Sequence, residues 1–472
     1  MKKLIRQLLF IVPGLFMLML GCSKNFTVQT PSDSIPLSEA LNTVDELQSA
    51  LNGAYASLRS TTLFGLDFTI LGDLQADNCY VQMQNHNLFI AQYTYSVSAA
   101  DGVALEMWAA AYTGILNANE IINATVSTPA ADTIKAQAYA IRALLYFKLA
   151  NIYARPYTDD STAPGVPLVL TYNPYLLPAR SAVKEVYGQI LNDLKAALRN
   201  APDYFNSVHL SKYAIEGLMA RVYLYEGDKQ DAKIAALDVI NHSGFSLVAP
   251  ADFNAFWANP APQSDQTEVM FEVDADPLNN NGSVSIGGVY INGLQDFFVS
   301  SQLYDLYSAT DIRRTLFVPY ITPGGASVYL NNKFPNALNA DPDNYKVIRL
   351  SEVYLIAAEA SLPGNEADAR QYLNALMAER DPSFVYNSTG KDLLSDIVQE
   401  RRKELAFEGD RLSDLNRLKL PVARGANPAA LPAGPGNINL VIPYADYRRI
   451  APIPLTEIEA NPSIASEQNT GY

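Results

Sequence analysis

Residues that commonly build reactive sites are scarce in this chain of 472 residues. It contains 2 cysteines and 3 histidines, and the histidines are too dispersed to provide the ligand spacing of a zinc site. The two cysteines, Cys22 and Cys79, could form at most one bridge, which excludes a disulfide framework. The sequence also lacks a nucleophile-elbow, zinc-protease, Walker or dinucleotide-binding motif. We therefore expect no metal, no cofactor and no catalytic centre.

Charged residues are also few, at 18% of the chain, and the formal net charge is −15 at pH 7. An acidic chain repels a phosphate backbone, so nucleic acid is not an expected partner. Hydrophobic residues make up 49% of the sequence. At this length that fraction is enough to bury a large core.

The first segment has the layout of a secretory signal. A basic start is followed by an apolar run from Leu8 to Leu20 and by the small residue Gly21, and such segments are removed from the mature protein. The apolar run is too short for a spanning helix. The stretch Met19-Leu20-Gly21-Cys22 resembles a bacterial lipobox, which predicts that Cys22 becomes the lipidated N-terminus. An ordinary signal followed by an incidental cysteine is the alternative.

This layout predicts three parts: a signal at 1–21, a lipidated tether at 22–37 and a single domain at 38–472. The tether is predicted because the segment is rich in proline and small polar residues. Within the domain, the helical pattern fades between 241 and 345, where glycine, proline, asparagine and aromatic residues indicate long loops and short strands.

Helical periodicity dominates the rest of the domain. Apolar residues recur at intervals of three and four, predicting helices over 38–59, 105–122, 136–153, 181–198, 213–225 and 349–360. Two alanine-rich helices align when Gly227 is placed on Gly364, since an alanine follows each glycine by five residues. Such a repeat is typical of tetratricopeptide-like helical hairpins, in which small residues let paired helices approach closely.

The most unusual element is the charged stretch from Ile397 to Leu420. It predicts a helix, a left-handed corner at Gly409 and a second helix that Asp410 could cap. Opposite charges three apart, such as Arg401 with Glu404, can meet on one helix face. The same spacing relates Glu400 to Lys403. From these residues alone, a solvated charged face and a set of structural ion pairs remain equally open.

Four segments carry a resemblance to a known family. The stretch E-R-R-K-E-L-A-F-E-G-D-R-L-S-D-L-N-R resembles the C-terminal motif of the SusD/RagB family of outer-membrane nutrient-binding lipoproteins. Similar matches occur in 349–360, in 451–472 and at Trp108, Tyr112, Ile115, Ala118 and Asn119. The resemblance implies a mainly α fold, with tetratricopeptide-like hairpins decorated by long loops and short β-strands. It also implies that Trp108 belongs to the core.

The function implied by the resemblance is non-catalytic nutrient capture at the outer membrane, facing the cell exterior. The captured oligosaccharide would pass to a SusC-like TonB-dependent transporter. Two loop regions would supply the ligand contacts, because aromatic rings stack on flat sugar faces while polar groups bind hydroxyls. These regions map to 77–95 and 257–329, where the candidate ligand-binding residues are Asp77, Asn78, Tyr80, His86, Tyr93, Trp257, Tyr290, Phe297 and Tyr329.

Other functions remain open at this stage. The same capture role could serve peptides, since tryptophan is nearly absent and no tryptophan-rich glucan platform is evident. Acidic residues near aromatic loops could instead form the carboxylate pair of a lipid-anchored glycan hydrolase. A helical adaptor without any small ligand is the third possibility.

Overall fold

A computed structural model describes residues 41–173, 175–432 and 440–472. The expected signal, the predicted lipidation site Cys22, the tether and residues 38–40 of the first predicted helix lie outside the described residues. The described α-helices are α1 (Val44–Leu58), α2 (Asp67–Leu74), α3 (Ile90–Thr94), α4 (Gly102–Asn123), α5 (Pro129–Tyr153), α6 (Val183–Leu198), α7 (Lys212–Glu226), α8 (Lys229–His242), α9 (Phe253–Ala258), α10 (Ile286–Tyr290), α11 (Ser301–Tyr304), α12 (Leu350–Ala360), α13 (Glu366–Ala378), α14 (Gly390–Glu404), α15 (Arg411–Arg417) and α16 (Leu455–Ala460).

Antiparallel helical hairpins form the scaffold, as the periodicity predicts. Helices α4, α5 and α6 pack in sequence, α7 pairs with α8, α12 pairs with α13, and α8 packs on α12. The aligned residues of the repeat, Ala220 and Ala357, are fully buried, because a small side chain is needed where two helices approach closely. Gly227 ends α7 in the left-handed conformation, with φ +89°. Trp108 is 3% exposed and lies against Tyr153 in the core.

Helix α1 begins at Val44, after the predicted start at residue 38, because Thr43 caps it. The Thr43 hydroxyl accepts a hydrogen bond from the Glu46 backbone N–H, and the Glu46 side chain accepts one from the Thr43 backbone. This capping box satisfies backbone donors that the first helical turn leaves free.

The strands are short and pair in antiparallel twos. They are β1 (Cys79–Val81) with β3 (Phe297–Val299), β2 (Val269–Val273) with β6 (Tyr345–Arg349), β4 (Phe317–Ile321) with β5 (Ser327–Asn331), and β7 (Val422–Ala423) with β8 (Val441–Ile442). Strand β2 is one of the short strands predicted between residues 241 and 345. Its two acidic side chains are buried, because Glu268, just before the strand, binds Arg349 and Arg380, while Glu272 lies 3.6 Å from Lys346.

The charged stretch forms the predicted helix, corner and helix as α14, a turn at Gly409 and α15. Gly409 has φ +82°, and a Cβ there would lie 2.6 Å from the Phe68 carbonyl oxygen, so α2 crosses this corner at very short range. The buried Asp73 carboxylate accepts hydrogen bonds from the Gly409 and Phe407 backbone N–H groups. The corner is therefore fixed by backbone contacts that only glycine permits.

The predicted cap at Asp410 is wrong. Asp410 occupies the N-cap position of α15 but makes no side-chain capping bond, because its carboxylate is paired with Lys148 at 3.0 Å. Burial alone would raise the pKa of Asp410, but the charges of Lys148 and Arg221 lower it to about 2.

Most charges between Glu400 and Asp414 form buried ion pairs rather than a solvated face. The predicted Glu400–Lys403 contact is confirmed at 3.0 Å, but the predicted Arg401–Glu404 contact is wrong. Arg401 binds Glu352 and Asp414, both at 2.8 Å. Glu404 binds three arginines from other segments of the chain, namely Arg313, Arg349 and Arg380.

No helix among the described residues is long and apolar enough to cross a lipid bilayer.

Candidate ligand-binding surface

The β1–β3 ladder joins the two loop regions predicted to bind a ligand. Tyr80 lies opposite Phe298 in this ladder, and the Gln82 side chain donates to the Gln295 carbonyl at 2.7 Å. The sequence regions 77–95 and 290–299 therefore meet in the folded protein, as expected if both contribute to one surface.

Four of the predicted residues around β1 are buried and already have partners. Burial opposes ionisation of Asp77, but the charges of Arg411 and Arg402 hold the pKa of Asp77 below its ordinary value. Asn78 donates to Asp73 at 2.6 Å and accepts from Arg402 at 2.9 Å. These two side chains hold the end of α2 against α14 and α15. They present no free polar group to solvent.

The rings of Tyr80 and Tyr93 are each 2% exposed. Tyr80 packs edge-to-face on Phe298 and donates its hydroxyl hydrogen to the Pro428 carbonyl at 2.9 Å. Tyr93 lies beneath the guanidinium of Arg424, 4.3 Å from the ring centroid. Both rings belong to the floor of the region, so the prediction that they contact a ligand is corrected to a supporting role.

Trp257, Tyr290 and Phe297 are also core residues, with at most 2% of each exposed. Tyr290 packs edge-to-face on both Phe297 and Phe407. Trp257 is separate from the β1–β3 ladder and packs edge-to-face on Phe334. None of the three rings has a face free for stacking, so their prediction as ligand contacts is corrected too.

His86 is the first predicted residue that reaches solvent. Its side chain is 59% exposed, and Nδ1 lies 2.7 Å from Oδ1 of the fully buried Asp296. The same oxygen accepts the His86 backbone N–H at 3.1 Å, which fixes the ring at the mouth of the loop. Oδ2 of Asp296 has no hydrogen-bond partner. Neighbouring Met83 is 59% exposed.

Tyr329 is the second predicted residue that remains accessible, and it belongs to a stacked cluster. Its half-buried ring stacks on Tyr304 with centroids 3.6 Å apart and an interplanar angle of 15°. The Arg314 guanidinium lies 4.5 Å from the centroid of the Tyr304 ring, and its Nε donates to the Tyr304 hydroxyl at 2.9 Å. Burial opposes the change, but hydrogen bonds from Tyr329 and Arg314 lower the pKa of Tyr304. We call Tyr304, Tyr329 and Arg314 the tyrosine stack.

Tyr304 and Arg314 were not among the ligand-binding residues predicted from the sequence. Arg314 follows Arg313 in a short 3-10 turn, where successive side chains point in different directions. Arg313 enters the buried ion-pair network, whereas Arg314 stays half-buried beside the stack. The double arginine was visible in the sequence, but nothing local distinguished the buried member from the accessible one.

The β1–β3 ladder separates the two accessible groups. Asp296, which holds His86, immediately precedes β3, while Tyr304 lies on α11 just beyond its other end. Between them, Tyr320 of β4 packs its half-buried ring on Phe298, with centroids 6.4 Å apart. His86 and the tyrosine stack therefore lie toward opposite ends of β3, and Tyr320 packs on its middle residue, Phe298. Within the described residues, no cluster of three or more carboxylate, histidine or cysteine side chains could hold a metal ion.

Comparison with known proteins identifies relatives across most of the chain. Residues 28–224 match a family model described as "Starch-binding associating with outer membrane", and residues 320–472 match one described as "SusD family". SusD-like protein P2 of Formosa agariphila is 27% identical over 89% of this chain and 91% of its own length. A SusD-like protein of Bacteroides ovatus is 25% identical over 88% of this chain and 83% of its own.

Solved structures show the same fold. A SusD superfamily protein from Bacteroides thetaiotaomicron has a TM-score of 0.81 at 28% identity, with 90% of this chain and 99% of that chain covered. A Bacteroides vulgatus protein whose description names sugar binding has a TM-score of 0.82 at 28% identity, with 92% and 99% covered. The mainly α fold predicted from the sequence is thus confirmed.

Proposed function

Because the chain belongs to the SusD family, we propose that it is a non-catalytic lipoprotein that captures an oligosaccharide and delivers it to a TonB-dependent transporter. The family consists of carbohydrate-binding proteins associated with the outer membrane. The capture step, the lipid anchor and the transporter are the parts that we add to this family-level role.

The observation that carries the proposal is the tyrosine stack. Two rings that are already stacked lose little side-chain freedom when a ligand binds, and a ring face that reaches solvent can accept the flat apolar face of a sugar. Arg314 adds guanidinium N–H groups beside the rings, and these can donate to sugar hydroxyls. This combination of ring and donor suits a polar ligand with apolar faces.

His86 would provide a polar contact at the other end of the same surface. Its ring is fixed by the buried Asp296, so its outer nitrogen is held in place without a ligand. An oligosaccharide long enough to span the ladder could contact both groups. A monosaccharide could not, because the six residues from Asp296 to Ser301 span five steps of strand-like geometry, roughly 16 Å in all.

Anchoring and delivery extend the proposal to the parts of the chain before residue 41. Cys22 would carry the acyl chains, and residues 22–37 would act as a tether between the membrane and the folded domain. The helical hairpins provide a rigid scaffold that a transporter could contact, while the loops carry the ligand surface.

The test is calorimetry on the lipid-free chain from Ser23 to Tyr472, titrated with panels of neutral oligosaccharides and of peptides. Products are analysed in the same mixtures. Binding of an oligosaccharide without turnover supports the proposal, whereas binding of peptides alone would reassign the cargo. Release of cleaved sugar would establish a hydrolase and overturn the non-catalytic role.

We expect Tyr329→Ala to weaken oligosaccharide binding by about fivefold or more, since truncating a central aromatic contact costs about 1 kcal/mol or more. His86→Ala should weaken binding of long oligosaccharides more than that of short ones. Tyr175→Ala is the matched control, because that tyrosine is 89% exposed and lies outside the surface. Equal binding by Tyr329→Ala and the control would remove the tyrosine stack from the site.

A further inference from the structure

A second concave site lies on another part of the molecule, where the start of α2 meets the first turn of α4 and the end of α5. The corner at Gly409 and residues near the C-terminus, including Arg448 and Arg449, close it from the other side. The cavity measures about 60 Å³. That volume corresponds to roughly four to six water-sized positions, which leaves room for a very small molecule only.

Three cationic and two acidic side chains contribute to the cavity wall, and most of them are already engaged. Lys148 is paired with Asp410 at 3.0 Å, and Arg448 is paired with Asp446 at 2.6 Å. Asp101 caps α4 and accepts a backbone N–H at 3.0 Å, at a helix terminus that favours a negative charge. Three of the five charged groups are therefore satisfied within the protein, which leaves one cation and one carboxyl group.

The remaining cation is Arg449. The residue is 4% exposed, and its Nη1 donates to the Leu420 carbonyl at 2.7 Å. Its Nε and Nη2 are buried and have no hydrogen-bond partner among the described residues. The Tyr444 ring lies 5.6 Å from the guanidinium, but a ring face does not replace an acceptor oxygen. Nε and Nη2 share one edge of the planar guanidinium, where a carboxylate can accept two parallel hydrogen bonds.

The remaining carboxyl group is Asp67, which is 6% exposed. It accepts no hydrogen bond and forms no ion pair with any described residue. A buried carboxylate can lose its charge by binding a proton, and burial, together with the charges of Glu106 and Asp101, raises the pKa of Asp67 to about 7. Burial lowers the pKa of Arg449, but a guanidinium still keeps its proton in proteins. Arg449 is therefore the group that the protein leaves both charged and unpaired.

We propose that this cavity binds a small monocarboxylate anion, whose two oxygens accept hydrogen bonds from Nε and Nη2 of Arg449. Protonated Asp67 can donate to the same anion, since a neutral carboxyl group carries one O–H donor. The apolar residues Phe68, Leu71 and Met107 line the cavity and would contact a short alkyl body. An organic cation is disfavoured, because the cationic side chains of the wall outnumber its carboxyl groups.

This site is independent of the proposed oligosaccharide surface, since it uses none of the same residues. The probe is sodium propionate, and a ligand with so few atoms is expected to bind only in roughly the millimolar range. Propionamide is the matched control, because it has nearly the same size and shape but no charge. Ethylammonium chloride tests the opposite charge, and sodium chloride controls for ionic strength. Titrations at pH 6 keep Asp67 protonated, since its pKa is about 7.

The experiment is an NMR titration of the lipid-free chain from Ser23 to Tyr472, following the Met107 methyl group and the side-chain N–H groups of Arg449. We expect saturable shifts with propionate and binding at least about tenfold weaker with propionamide, which cannot form the charge-assisted pair. Ethylammonium and sodium chloride should cause no saturable shift. This comparison needs only the wild-type protein, so it does not depend on the folding of any variant.

Three variants assign the binding to a residue. Arg449→Lys keeps the positive charge but lacks the two-donor edge, and should weaken propionate binding by about tenfold or more. Asp67→Asn keeps a donor in place of the protonated carboxyl group and should leave propionate binding unchanged. Arg199→Lys, at an exposed arginine outside the cavity, is the control for Arg449→Lys.

Four outcomes would overturn the proposal. They are no saturable shift with propionate up to about 100-fold above the millimolar range expected for so small a ligand, equal binding of propionamide, saturable binding of ethylammonium, and unchanged propionate binding by a folded Arg449→Lys variant. Loss of oligosaccharide binding in the Tyr329 variant with intact propionate binding would leave this site standing, so the two proposals fail separately.

Discussion

At the scale of single residues, the buried carboxyl group of Asp67 affects stability. A carboxyl group whose pKa is raised to about 7 in the folded protein binds its proton more tightly there than in the unfolded chain. Its ionisation therefore costs stability fully above pH 7, and that cost disappears once the pH falls below the unfolded pKa near 3.8.

Replacing Asp67 with Asn should stabilise the protein in alkaline solution. We expect the free energy of unfolding at pH 8 to rise by as much as ~4 kcal/mol, the equivalent of a shift of about three pKa units. Near pH 4 the variant and the wild type should be equally stable. Urea denaturation at both pH values checks this, and a gain that is independent of pH would show that packing rather than charge is responsible.

Trp257 shows why the choice of ligand rings failed at this scale. It lies in the loop-rich region predicted to carry the ligand surface, but its ring contacts Lys333, Lys346 and Arg349, at 4.5 to 5.1 Å from the cations. Such contacts stabilise buried cations. Lys333 and Arg349 are distant from Trp257 in sequence, so nothing local to Trp257 indicates that its ring is covered. His86 and Tyr329 lie in a loop and a hairpin, which leave some side chains accessible, so both stay predictions as ligand contacts.

At the scale of secondary-structure elements, α14 illustrates what periodicity can and cannot predict. Its apolar stripe and the glycine after it gave the helix, the corner and the following helix correctly. The ion-pair partners of Glu404 could not be predicted, because it binds arginines that precede it by 24 to 91 residues. Helical spacing reveals only neighbours three or four residues away. The burial of the charges therefore depended on contacts that the local sequence does not contain.

Removing the charge of Glu404 should destabilise the protein strongly. Glu404→Gln leaves Arg313, Arg349 and Arg380 with one fewer counter-charge in the core, and we expect the free energy of unfolding to fall by about 3–5 kcal/mol. Glu366→Gln is the control, because the 3.5 Å contact between Glu366 and Arg370 is partly exposed and should cost less than about 1 kcal/mol. Chemical denaturation at pH 7 measures both changes.

The loss of stability caused by Glu404→Gln should become smaller in acid. Burial alone would raise the pKa of Glu404, but the surrounding arginines hold it well below the ordinary 4.5. Its contribution to stability is present above pH 4.5 and is lost as the pH falls toward the folded pKa. The difference between wild type and Glu404→Gln should therefore narrow below pH 4.5. A constant difference down to pH 3 would contradict this origin of the effect.

At the scale of the whole molecule, charge is divided between core and surface. Buried carboxylates are nearly matched in number by buried arginines and lysines, so the net charge of −15 lies mostly outside this core. The surface therefore favours solubility and disfavours polyanions, which is consistent with a ligand bound by rings and hydroxyl contacts. Residue counts predicted the negative net charge. They could not predict that many of the charged residues are buried as ion pairs.

The C-terminal segment connects helices that are far away in sequence. The Ala451 backbone N–H donates to the Ile152 carbonyl at 2.8 Å, and the Trp108 indole donates to Glu457 at 3.2 Å. Asn469 donates to the carbonyls of Tyr153 and Ala451, at 2.8 and 2.7 Å. The last residues therefore hold the ends of α4 and α5 together, which matches the resemblance found for 451–472 in the sequence.

Asn469 consequently tests whether this closure stabilises the whole fold. Asn469→Ala removes one hydrogen-bond donor from each of two backbone carbonyls, and we expect the free energy of unfolding to fall by about 1–3 kcal/mol. Asn200→Ala, at an exposed asparagine on the opposite end of a helix hairpin, should change it by less than about 0.5 kcal/mol. Far-UV circular dichroism would follow unfolding of the helices, and near-UV circular dichroism would follow the packing around Trp108. Because the segment contacts the helices directly, we expect the denaturation midpoints of both signals to fall together. Loss of the near-UV signal alone at a lower denaturant concentration would contradict this, because the C-terminal segment would then detach before the scaffold unfolds.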